Sequence, residues 1–82
     1  MINIINYGTV KTLTKDLRSE GYTLKSMIYN TELNELTLIY DNTGYTDFYA
    51  WQIVVTANVH EEEDGMPTVI DITKVSIENI GE

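Results

Sequence analysis

The chain has no cysteine, one proline, one histidine and no long apolar run. Without cysteine there is neither a disulfide framework nor a thiolate zinc site. No apolar stretch approaches the roughly 20 residues that span a bilayer. The N-terminus, Met1-Ile2-Asn3-Ile4-Ile5-Asn6, lacks the basic n-region and the h-region of a signal peptide. These absences predict a cytoplasmic protein. The one proline is Pro67, and no linker, repeat or low-complexity tract divides the sequence, so the 82 residues are expected to form one domain, 1–82.

Positive charge is scarce as well, and unevenly so. Thirteen acids stand against five bases, a net charge of −8. Residues 1–25 carry Lys11, Lys15, Arg18 and Lys25 against Asp16 and Glu20, a net of +2. Residues 26–82 carry Lys74 against eleven acids, a net of −10. Such a surface repels nucleic acid and anionic membranes, whose binding needs Lys or Arg on phosphate. It is steered instead toward a basic protein surface. The plainer role of acidity is to keep a small protein dissolved.

What is present is periodicity. Val10, Leu13, Thr14 and Leu17 recur at helical spacing, with Lys11, Lys15 and Arg18 on the other side. Thr9 or Asn6 suits the N-cap, and Gly21 stands where a left-handed C-cap belongs. The spacing predicts a helix over about 8–20. Residues 2–5 read as a short strand or as irregular chain. After Gly21 the texture turns β-branched and aromatic, with turn clusters between the runs. The predicted strands are about 22–29, 35–41, 47–60 and 68–79.

In the third strand Tyr49, Trp51, Ile53, Val55, Ala57 and Val59 share one face, where the helix is expected to lie. Glu61-Glu62-Glu63-Asp64-Gly65 reads as a polar turn. In the last strand Ile70 and Ile72 are even and Val75 and Ile77 odd, so a bulge is expected near Thr73-Lys74. The fold class is α+β: one N-terminal helix packed on an antiparallel four-stranded meander sheet.

Catalytic signatures are missing. There is no Gly-rich phosphate loop, nucleophile elbow or zincin helix. His60 with Glu62 or Asp64 resembles a cation-ligand pair, but the loop lacks the EF-hand pattern and reads as a solvated acidic turn. A substrate cleft would also consume much of so small a core. The expectation is a non-enzymatic protein with no cofactor and no metal site.

Aromatic residues point to binding. Tyr45-Thr46-Asp47-Phe48-Tyr49-Ala50-Trp51 places large side chains on both faces of a strand entrance, and one helix covers one face. Trp51 and Tyr49 are expected in the core, whereas Tyr45 and Phe48 stay open between core and interface. The acids fall into two candidate partner-binding patches. One is Glu32, Glu35, Asp41 and Asp47, on or near strand ends and flanked by Tyr45 and Phe48. The other is the run Glu61, Glu62, Glu63, Asp64. Carboxylates two residues apart on a strand lie about 6.6 Å apart, a row able to take the place of backbone phosphates.

The segment from Leu13 to Trp51 resembles a family on this pattern. An amphipathic helix, then Gly21-Tyr22-Thr23-Leu24-Lys25, a hairpin, Leu38-Ile39 and the loop Asn42-Thr43-Gly44 look like the small acidic anti-CRISPR proteins that block Cas9 at its PAM-reading site. The matching positions are Tyr22, Thr23, Lys25, Leu38, Ile39, Asn42 and Gly44. The resemblance implies an inhibitory role for Asp41 and Asp47, although Asn42-Thr43 is less acidic than the family pattern. It covers about half the chain, because that family ends in helices and here strands follow. Tyr49-Ala50-Trp51-Gln52-Ile53-Val54 is similar to a strand of the phage uracil-DNA glycosylase inhibitors. Their Glu-Ser dipeptide and second helix have no counterpart here.

Both resemblances imply a phage-encoded acidic inhibitor acting in the bacterial host cytoplasm. The expected partner is a basic nucleic-acid-processing host protein, such as a CRISPR effector or a repair enzyme, with no direct binding of nucleic acid or membrane. The alternative is a phage structural or assembly protein that self-associates through its long third strand, which exceeds the usual five or six residues.

Overall fold

The computed structural model describes residues 3–44, 50–63 and 66–81. A short 3-10 helix (Ile4–Asn6) and helix α1 (Val10–Ser19) precede four strands, β1 (Thr23–Asn30), β2 (Glu35–Asp41), β3 (Trp51–Glu63) and β4 (Met66–Asn79). All neighbours pair antiparallel in the order β1-β2-β3-β4. The molecule is thus one helix on a four-stranded meander, the α+β class expected from the sequence. Of the stretch 2–5, left open as strand or irregular chain, Ile2 lies outside the described residues and Ile4 and Ile5 belong to the 3-10 helix, which buries Ile4 in the core.

Local chemistry fixes the helix. Thr9 caps it by accepting the Thr12 N–H at 3.3 Å. At the other end Gly21 takes φ 93°, the Gly21 N–H reaches the Arg18 carbonyl and the Tyr22 N–H reaches the Leu17 carbonyl. That is a Schellman closure, which needs a residue without Cβ strain in the left-handed position. Val10, Leu13 and Leu17 are buried against the sheet, as the periodicity predicts.

β2 shows the sheet's two faces most cleanly. Leu36, Leu38 and Tyr40 are fully buried under the helix, and Glu35, Thr37, Ile39 and Asp41 face the uncovered side. Ile53, Val55, Ala57, Val59, Ile70 and Ile72 complete the core on the helix side. The buried Tyr40 hydroxyl meets the Thr14 hydroxyl at 2.9 Å, and burial raises the Tyr40 pKa.

The slip in β4 parity is a real bulge. Thr56 pairs with Lys74 and Ala57 with Ile72, leaving Thr73 as the extra residue, and its hydroxyl donates to the Thr56 carbonyl at 3.2 Å. His60 and Thr68 are further extra residues, and Thr68 donates in the same way to the Glu61 carbonyl. Lys25 is the extra residue in β1.

Several expectations need correction. Trp51 is not core: it is 37% exposed, because it pairs with Asn79 at a corner of the sheet and the covered stretch of β3 starts at Ile53. Tyr49, expected beside it, lies outside the described residues, as do the first three residues of the expected strand 47–60. Glu61 and Glu62 are not a turn: together with Glu63 they continue the ladder opposite Val69, Pro67 and Met66. The long third strand therefore runs past β2, which pairs with it over Gln52–Asn58. β4 matches it from end to end with 14 residues, and β3 is bonded on both sides over the stretch where β2 lies beside it. Pro67, which lacks an N–H, is tolerated because β4 is an edge strand.

Candidate functional site at the acidic end of the sheet

The register sorts the acidic residues by end. Asn30, Glu35, Asn58 and Asp71 form one cross-sheet row, and Asp41, Gln52 and Glu78 form a row at the other end. Glu35 and Asp41 are the two termini of β2, about 20 Å apart along the strand. The patch expected from Glu32, Glu35, Asp41 and Asp47 is therefore divided, and the run beginning at Glu61 joins Glu32 and Glu35.

The turn between β1 and β2 is built to hold this end together. Asn30 Oδ1 accepts the N–H groups of Glu32 and Leu33 at 3.1 and 3.2 Å, an Asx turn that reverses the chain. Asn34 adopts φ 53°, a left-handed conformation that asparagine tolerates better than most residues. Its carbonyl accepts the Val59 N–H at 3.1 Å, and its side-chain amide donates to the Val59 carbonyl. The Tyr29 hydroxyl donates to Asn34 Oδ1 at 2.8 Å. The β1–β2 turn is thereby clamped to β3, where the β3–β4 arm continues toward Glu61 and Glu62.

At this end Glu32, Glu61, Glu62 and Asp71 are exposed and Glu35 is half-buried. Among the described residues the ion pairs are Lys25–Asp41 and His60–Asp71, so Glu32, Glu35, Glu61 and Glu62 have no cationic partner. The Tyr29 pKa is raised, first by partial burial and then by the nearby Glu62 carboxylate. Leu33, 65% exposed, stands at the tip of the turn amid these acids. Sequence reasoning missed Leu33. The available signal was a lone leucine inside the polar turn Asn30-Thr31-Glu32-Leu33-Asn34.

Asp41 is differently placed. Its Oδ1 accepts from the Thr43 N–H at 3.2 Å and the Thr43 hydroxyl at 2.8 Å, with Lys25 Nζ at 3.9 Å. Next to it Asn42 Oδ1 accepts the Trp51 N–H at 2.7 Å, and the Asn42 N–H reaches the Trp51 carbonyl. Asp41 thus serves the closure of its own loop. Tyr45, Asp47, Phe48 and Asp64 lie outside the described residues, and Glu63 is placed through its backbone pairing with Met66.

His60 Nε2 lies 4.0 Å from Asp71 Oδ2, with both side chains exposed. Among the described residues no three His, Cys, Asp or Glu side chains group as metal ligands. No helix among them is long and apolar enough to cross a membrane. The acidic end can accept hydrogen bonds from guanidinium and ammonium groups and bury Leu33 against an apolar contact. No family model, curated protein or solved structure matches this chain.

Proposed function

We propose that this protein is a non-enzymatic inhibitor whose acidic sheet end occupies the basic nucleic-acid-binding surface of a host defence or repair enzyme. The observation that carries this reading is the gathering of Glu32, Glu35, Glu61 and Glu62 at one end, with no cation paired to any of them among the described residues. Carboxylates gathered at one end without cations repel one another, and a surface rich in Lys and Arg relieves that repulsion. Leu33 and Tyr29 supply the apolar and aromatic contact that gives such an interface its affinity, while the carboxylates set on-rate and register. The resemblances to Cas9 inhibitors and uracil-DNA glycosylase inhibitors support the same class of partner.

Capture from bacterial lysate tests the reading. The immobilised protein is expected to retain a nucleic-acid-processing protein at low salt and to release it at high salt or on addition of duplex DNA. Glu32→Lys with Glu61→Lys should abolish capture. Recovery of no such protein, or capture indifferent to salt and to DNA, overturns the proposal.

A further inference from the structure

The free edge of β4 carries a sequence complementary to itself, and we propose that it pairs with β4 of a second copy to form an antiparallel homodimer. Three observations converge there. First, hydrogen-bonding groups are available. In an antiparallel ladder, successive residues turn their N–H and C=O alternately to either side. The Ile80 N–H donates to the Ala50 carbonyl, so Glu78, Ser76 and Lys74 face β3 and Val75, Ile77 and Asn79 face outward. The edge is occupied at Ile70, whose N–H goes to the Gly8 carbonyl, and among the described residues no backbone bond covers Val75 or Ile77.

Second, the register is defined. A two-fold axis at Ser76 sets Lys74 opposite Glu78 of the second copy, Val75 opposite Ile77, and Ser76 opposite Ser76. The run Lys74-Val75-Ser76-Ile77-Glu78 thereby matches apolar with apolar and cation with anion, twice over. Any shift of register sets Lys74 or Glu78 against an uncharged or like-charged residue, so the charges that would otherwise guard a sheet edge here select one pairing.

Third, apolar surface waits at the seam. Ile77 is 47% exposed and Ile5, on the 3-10 helix beside it, 45%. They line an open groove of about 320 Å³ together with Val75, Thr73 and Lys74. The two-fold axis keeps both helices on one face of an eight-stranded sheet, where Val75, Ile77 and Ile5 of both copies meet. The acidic ends then point away from each other.

Sedimentation of the full chain over about 1 μM to about 1 mM tests this. The mass is expected to approach twice 9.4 kDa. Lys74 and Glu78 are exposed, so Lys74→Glu and Glu78→Lys should fold, as circular dichroism checks. Each variant sets like charges opposite one another and should weaken self-association by about tenfold. Mixing the two variants restores opposite charges across both pairs and should restore the dimer as a heterodimer. A wild-type chain monomeric throughout, or a dimer indifferent to both charges and to mixing, overturns the proposal. Neither variant touches Glu32, Glu35, Glu61 or Glu62, so salt-sensitive capture of an enzyme stands or falls separately.

Discussion

The two ends of the sheet use carboxylates in opposite ways. Beyond Tyr40, Asp41 is answered from inside the molecule, by Thr43 and Lys25, and the neighbouring Asn42 ties its loop to Trp51. Beyond Leu36, Glu35 and the nearby Glu32, Glu61 and Glu62 are held in place by a backbone clamp at Asn34 that none of their own side chains makes. An acid with internal partners contributes to folding. An acid positioned without them is available to a partner. Charge count alone would have ranked both ends together, and geometry separates them.

Both ends depend on one core, and the comparison breaks if that is wrong. Leu17 and Val55 are fully buried in the helix–sheet layer. Leu17→Ala and Val55→Ala should each destabilise by about 2–5 kcal/mol, the cost of lost burial plus the cavity left behind. Denaturant melts of the two variants check this. A near-zero loss at both would mean that the helix does not anchor the sheet.

That core was legible from the sequence because its signals are local. Val10, Leu13 and Leu17 at helical spacing, Gly21 after the helix and the parity break between Ile72 and Val75 each act through neighbouring backbone. The functional geometry was less legible. Grouping Glu35 with Asp41 followed their closeness along the chain, yet an extended strand sets its two termini at opposite edges of the molecule. The acids of residues 61–63 looked like a turn by composition, whereas pairing with Val69, Pro67 and Met66 made them strand. Trp51 fitted the alternation of β3 but lies where the covering layer ends, a limit that period-two patterning does not encode.

Each end is closed by one asparagine, and the pair sharpens the comparison. Asn42 is buried, and Asn42→Ala leaves the Trp51 N–H without its acceptor, at an expected cost of about 1–3 kcal/mol. Asn34→Ala removes the side-chain bonds to the Val59 carbonyl and the Tyr29 hydroxyl and forces alanine into φ 53°, for roughly 1–2 kcal/mol. Asn34→Gly should recover part of that loss by relieving the backbone. The readout differs as well: Asn34→Ala should reduce partner capture by loosening the acidic end, whereas Asn42→Ala should leave it in place. Equal loss of capture in both would mean that the binding surface extends across both ends.

The smallest effect on stability is the most telling. Glu32→Lys and Glu61→Lys replace exposed acids that have no cationic partner among the described residues, so they forfeit no ion pair there and lower the local negative charge. Surface changes of this kind usually fall within about 0.5 kcal/mol, and here the sign should be neutral or favourable, most visibly at low salt where screening is weak. Asp41→Lys, also one charge reversal on an acidic chain, should do the opposite. It gives up the hydrogen bonds from Thr43 and sets two cations together with Lys25. For a domain of this size about 1 kcal/mol corresponds to roughly 4–8 °C in Tm, so thermal melts at low and high salt resolve the contrast. Tm held or raised at Glu32 and Glu61, with loss of partner capture, would mark a surface kept acidic for binding at no benefit to folding. A fall in Tm there equal to that at Asp41 would make those acids part of the fold and remove the distinction between the two ends.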